Sequence, residues 1–388
     1  MEFYHQKASE SNELTAFDAF FGSTYIRHIN GLYLAIENEN VCLSRERFLW
    51  RVEAWENGRF YIRDESGHDH IEYYDGIVKS ALDSGYTEQH WRLYHNNGGL
   101  VFLEHADSPN LFLHASQDNS LTISNEYSDE GCCFIFEDCS FTQGYPYIEY
   151  RSNANKIILR VEPTILYYAG NNWLNCWLDD LEKAYYSLSR LTGSQPFPSI
   201  EIRAYTNCNT WGYVFYGKPV IHINKDCFEK EIIRMRKRRL RDISFGTLHE
   251  MCHLFDNYAW LCEKEAMANI KLGYVLYELG FSASLSDRGE GETVTIQNYA
   301  KALYNEHGKL DNIKGLFCSA LTGKMVEIAY TIGWDAYSYA FKNFPPIYNS
   351  TKLEKFEMLI TKLSEHSRRD IRGMFSVSEW NSIVANLK

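Results

Sequence analysis

The sequence predicts a multidomain α+β protein, and three observations carry that prediction. Residues 20–141 repeat a short-strand pattern three times, which predicts an all-β unit. An H-E-x-x-H motif at His249–His253 lies among alternating strand and helix patterns, which predicts a second unit over residues 150–295 built as α/β around a motif helix. Residues 296–388 carry apolar positions at helical spacing, which predicts an all-helical third part.

Composition narrows the classes of function. The chain has 388 residues, long enough for two or three cores, with 45% hydrophobic and 23% charged residues, as in folded globular proteins. Its net charge of −12 argues against general nucleic-acid binding, because phosphate contacts need a basic surface. No apolar run approaches the roughly 18 residues of a membrane span, and the polar first 23 residues lack the basic-then-apolar order of a signal peptide. Location therefore stays open between the cytoplasm and export as a secreted or translocated effector. The ten cysteines have no zinc-knuckle spacing and predict reduced, mostly buried thiols.

The repeats are matched at both ends. Tyr25-Ile26-Arg27, Tyr61-Ile62-Arg63 and Phe102-Leu103-Glu104 open the three copies, which are roughly 40 residues long. Trp50, Trp91 and Phe134 sit in the short strands that close them. Turn signals such as Asn57-Gly58 and Asn97-Gly98-Gly99 separate alternating strands. The pattern resembles ricin-type or fascin-like β-trefoils, and Gln89-His90-Trp91 is similar to their Q-x-W signature. The resemblance implies a module that binds a carbohydrate, docks on a protein, or acts only as scaffold.

After a linker at 142–155, Lys156–Val161 predicts a buried strand. Residues 173–191 predict a helix with Leu174, Trp177, Leu181, Tyr185 and Leu188 on one apolar stripe and Gly193 as its stop. Residues 211–223 predict a hairpin or edge strand, with Tyr213 and Tyr216 as candidates to line a cleft. Arg234–Arg241 is a strongly basic run, most simply a solvated helix face. Ser282–Thr295, rich in Ser, Gly, Asp and Glu, predicts a loop.

The motif reads Thr247-Leu-His249-Glu250-Met-Cys-His253-Leu-Phe255, and random placement of this composition gives roughly 0.03 such matches. Two residues four apart on a helix lie only ~40° apart around its axis, so both imidazoles reach one zinc ion with Glu250 beside it as a general base. A third ligand is needed. Glu263 and Glu265 lie ~200° apart on a helix, so one at most faces the metal. Glu265 has Asn269 one step of four behind it, placed to orient a ligand imidazole, and is the favoured third ligand. Asp256 is a further candidate for that orienting task, or a surface residue.

An H-E-x-x-H helix, an acidic ligand about twelve residues on, and Glu265-x-x-x-Asn269-Ile270 resemble the enhancin-like gluzincins, peptidases that include mucin- and O-glycoprotein-cleaving enzymes. Tyr330-Thr-Ile-Gly-Trp334 and Arg369-Asp370-Ile371 through Trp380 look like the closing segments of that family, so the likeness extends loosely over residues 150–388. Cys252 departs from the family, which commonly has Gly there. The resemblance implies a zincin-like catalytic domain with one Zn2+ held by His249, His253 and Glu265. It further implies that Glu250 activates the zinc-bound water against a peptide bond of a protein or O-glycoprotein, and that a Tyr or His assists the oxyanion. Tyr213, Tyr274, Tyr277 and His307 are candidates for that last role. A protease acting on a single target, or a trefoil lectin or adaptor with an inactive body, are the competing expectations.

Overall fold

The computed structural model describes residues 14–38, 40–82, 87–166, 171–206, 211–215, 217–237, 242–284 and 293–388. Tyr216, most of the Arg234–Arg241 run beyond its helical backbone, and the middle of the Ser282–Thr295 segment lie outside the described residues. The chain divides near residue 148 into two compact units.

The first unit contains thirteen strands in one antiparallel sheet. They are β1 (Thr15–Ala16), β2 (Phe20–His28), β3 (Tyr33–Glu37), β4 (Asn40–Ser44), β5 (Leu49–Trp55), β6 (Arg59–Asp64), β7 (Asp69–Tyr74), β8 (Ile77–Leu82), β9 (Trp91–His95), β10 (Val101–His105), β11 (Phe112–Ala115), β12 (Leu121–Ser124) and β13 (Phe134–Gln143). β9, β10, β13, β2, β5 and β6 pair in that order, and β6 pairs back to β9, so six strands close into a barrel. The pairs β3–β4, β7–β8 and β11–β12 extend from β2, β6 and β10 as outer hairpins.

This corrects the expected fold class. The architecture is a large antiparallel sheet with a closed six-stranded barrel and outer strands, and it is not a trefoil followed by a zincin-like domain. The physical reason is that period-2 alternation assigns residues to faces and leaves ladder closure undetermined. Closure here comes from pairings across the repeats: β13 joins β10 to β2, β9 joins β10 to β6, and β1 adds outside on β9.

Ile26, Trp50, Val52, Phe60, Ile62, Trp91, Leu103 and Phe134 fill the barrel. The two indoles tie outer hairpins to it. Trp50 Nε1 donates to Leu34 O at 2.7 Å and Trp91 Nε1 to Ile71 O at 2.9 Å. A buried Trp N–H usually finds such an acceptor. The third copy has Phe134 at this place, with no N–H to satisfy.

The second unit opens with β14 (Ile148–Arg151), β15 (Ile157–Val161), a short α1 (Pro163–Leu166) and α2 (Asn171–Thr192). β16 (Ile200–Thr206), β17 (Gly212–Val214), β18 (Val220–Asn224) and α3 (Lys225–Lys237) follow, then α4 (Phe245–His253) and α5 (Lys264–Leu279). The sheet order is β14-β15-β16-β18-β17, with β15 parallel to β16 and β17 antiparallel to β18. Leu174, Trp177, Leu181, Tyr185 and Leu188 of α2 join the inward side of this sheet in one core with Met251 and Cys252 of α4. Two small ladders, β19 (Ser282–Ser284) with β20 (Thr293–Thr295) and β21 (Gly308–Lys309) with β22 (Asn312–Ile313), flank α6 (Ile296–His307). α7 (Phe317–Ile332), α8 (Trp334–Lys342), α9 (Lys352–Ser367) and α10 (Val377–Leu387) complete the unit. Lys324 of α7 bonds both Glu379 oxygens of α10 at 3.0 Å and pins the last helix. None of the described helices is long and apolar enough to cross a membrane.

The barrel seam yields a stability test. The β2–β13 pairing is irregular between Glu137 and Ser140, and Gly22 sits opposite at φ +154° with the Ser140 carbonyl where a Cβ would go. Gly22→Ala is therefore expected to destabilise the first unit by about 1–3 kcal/mol, the usual cost of overpacking, in urea denaturation followed by tryptophan fluorescence.

Candidate metal centre

The centre is built on two successive helices. Ser244 starts α4: its Oγ accepts from Thr247 N at 3.1 Å, satisfying one of the otherwise orphaned first-turn N–H groups. Helical spacing then puts Phe245, Leu248, Met251 and Cys252 into the core and leaves His249 and Glu250 half-buried at its edge. Gly246 is required on this helix because the Trp211 ring occupies the place of any side chain there. Glu263 caps α5 by accepting from Ala266 N at 2.5 Å. Its carboxylate is thereby committed to the cap, and Glu265 faces the motif instead.

His249 Nε2 and His253 Nε2 lie 3.1 Å apart. Glu265 Oε2 is 3.0 Å from the first and 3.4 Å from the second. At zinc–ligand distances of ~2.0–2.1 Å, the edges of a tetrahedral site are ~3.3 Å. These three residues form a group that could hold a metal ion.

The tautomers support the same conclusion. His249 Nδ1 donates to Asn269 Oδ1 at 2.8 Å, and His253 Nδ1 donates to Asp256 Oδ2 at 3.0 Å. A neutral imidazole that spends its proton at Nδ1 bears a lone pair at Nε2. Two nitrogen lone pairs and a carboxylate oxygen then point at one another, an arrangement that repels itself until a cation sits between them. Without a metal, protons supply that cation. Hydrogen bonds from His249 and then His253 hold the Glu265 carboxyl well below the usual carboxylate range. For His253, burial opposes the charged ring, but Asp256 and Glu265 override it and raise the pKa to about 8. A metal competes with these protons for the same lone pairs.

Glu250 lies between the two histidines in sequence. Its carboxylate has no hydrogen-bond or ion-pair partner among the described residues. Burial raises its pKa, and the neighbouring His249 and His253 pull the other way. Alongside runs β17, the last strand of its sheet, where a Cβ on Gly212 would stand 3.6 Å from Glu250 Cγ. Tyr213, the next residue, points to the other face and stacks on His222 with ring centroids 4.6 Å apart.

Tyr274 and Tyr277 are elsewhere on α5. Both rings lie against Trp334, at 5.7 and 6.1 Å, and burial with the nearby Glu278 raises the Tyr274 phenol above its ordinary range. Nine positions from Glu265 put Tyr274 ~180° around the helix. His307 closes α6, where its Nδ1 accepts from Leu316 N at 3.4 Å. Lys271 is the residue the sequence reasoning missed. Its side chain is 0% exposed and ion-paired with Asp256. The available signal was that it is the single charge in the run Ala266–Leu276.

No protein-family profile matches the sequence, and no curated protein matches it. Among solved structures, one similar chain is the GlcNAcα1-4Gal-releasing endo-β-galactosidase from Clostridium perfringens, at 14% identity and a TM-score of 0.27. That match covers 30% of this chain and 32% of the galactosidase. At this level it carries no inference about fold or activity.

The metal-free chain is expected to take up one equivalent of a divalent transition metal in isothermal titration. His249→Ala, His253→Ala or Glu265→Ala should each weaken uptake at least ~100-fold. Metal-free His253→Ala should melt below wild type, because it empties a buried site and takes the hydrogen-bond donor from the buried Asp256 carboxylate.

Proposed function

We propose that this chain is a zinc-dependent endopeptidase, acting on a protein or O-glycoprotein. The observation that carries the reading is the half-buried, unpartnered Glu250 carboxylate on the helical turn whose two histidines converge with Glu265. A His-His-carboxylate donor set suits Zn2+ in a hydrolytic site with an open position. When bound, the ion supplies Lewis acidity for the carbonyl under attack.

The chain's own residues do the rest. Glu250 accepts a proton from water as the water oxygen bonds to the carbonyl carbon. It returns that proton to the amide nitrogen as the C–N bond breaks, so a carboxylic acid and an amine leave and Glu250 is regenerated. Asn269 and Asp256 hold the imidazoles in the required tautomer throughout. An extended substrate laid against β17 would run past Glu250, the strand-addition mode that peptidases use to present a scissile bond.

The substrate class follows from the likeness to enhancin-like peptidases, which suggests O-glycosylated proteins. Under this reading the first unit brings the enzyme to its target by binding glycan or protein. The test compares a mucin-like glycoprotein with a non-glycosylated protein, each with and without a chelator. Cleavage should stop on chelation and return with zinc. Glu250→Gln should lose about 10²–10⁴-fold in kcat while retaining zinc. A zinc-loaded wild type that cleaves neither substrate, or cleavage indifferent to chelator, would refute the reading.

A further inference from the structure

We propose that Lys271 is a positioning residue for the metal centre: its buried ammonium fixes the Asp256 carboxylate that in turn orients His253. The inference rests on the metal reading given above.

Three features of α5 and the turn before it carry it. Lys271 has a fully buried side chain, where an unpaired ammonium is very costly. Its Nζ donates to Asp256 Oδ1 and lies 4.8 Å from the centroid of the Trp260 ring. Asp256 is itself 3% exposed, and its two oxygens have separate tasks: Oδ1 takes the ammonium, and Oδ2 takes the His253 N–H at 3.0 Å. The carboxylate plane, and with it the ring plane of His253, is therefore set from both sides.

The two histidines are oriented by different means. His249 is held by the amide of Asn269, a neutral acceptor that needs no counter-charge. His253 is held by an anion in the core. Lys271 supplies the counter-charge behind that anion and holds its other oxygen, so Oδ2 stays on His253 Nδ1 and Nε2 remains turned toward Glu265 and His249.

The experiment measures zinc affinity of the full chain by competition with a chromophoric chelator, together with melting of the metal-free protein. Lys271→Met should bind zinc at least tenfold more weakly than wild type, within the range seen when a partner behind a ligand is lost. The double variant Lys271→Met/Asp256→Asn should recover most of that loss, because the new amide oxygen still accepts from His253 and no charge is left buried. Lys271→Met that binds within twofold of wild type would overturn the inference. So would a double variant as weak as Lys271→Met when both melt like wild type. If Lys271→Met fails to fold, Lys271→Gln takes its place: it removes the charge but keeps a donor, so it should bind zinc more weakly than wild type, and binding equal to wild type would overturn the inference. Wild type that binds no zinc would sink the metal reading itself, whereas zinc-binding wild type with undiminished Lys271→Met sinks this inference alone.

Discussion

Two hydrogen bonds made on the outer side of the imidazoles determine what the second unit can do. Asn269 and Asp256 take the Nδ1 protons of His249 and His253, and this turns both Nε2 lone pairs toward Glu265. If either ring rotated or changed tautomer, the same helices would carry two ordinary histidines. The packing of α4 against α5 makes both bonds available at once, and the caps at Ser244 and Glu263 set where each helix begins. The Glu263 cap also decides which of two nearby carboxylates meets the motif.

Charge is distributed unevenly over this arrangement. One imidazole leans on a neutral amide and the other on a carboxylate that is neutralised from behind by Lys271. A buried Lys–Asp–His chain is expensive to assemble, since each charge loses its hydration. Such a chain persists where fixed orientation is worth more than the stability an apolar replacement would give. Glu250 has the opposite character, half-buried and without a hydrogen-bond or ion-pair partner among the described residues.

The sequence made local geometry legible and long-range pairing illegible. His249, His253, Glu265 and Asn269 could be placed together because steps of four on a helix are fixed by its pitch. The apolar stripe of α2 was readable for the same reason. The closure of the barrel was not, because alternation in β2 or β9 records a face and leaves the neighbour unspecified; the expected fold class failed there. The choice between the two readings of Asp256, orienting group or surface residue, could not be made from spacing. It depends on how the turn after α4 folds back, and residues 256 and 271 meet only once α5 is docked. Tyr213 illustrates the limit within one strand: being near the motif in space did not tell which face its ring would take, and Gly212 is the residue that faces Glu250.

The most direct test of the account is X-ray absorption at the zinc edge on the metal-loaded full chain. It predicts a low-coordinate shell of nitrogen and oxygen only, at roughly 2.0–2.1 Å, with the outer-shell scattering of two imidazoles. A sulfur scatterer at about 2.3 Å, or a shell with fewer than two imidazoles, would mean that the metal sits elsewhere and that the convergence of His249, His253 and Glu265 serves another purpose.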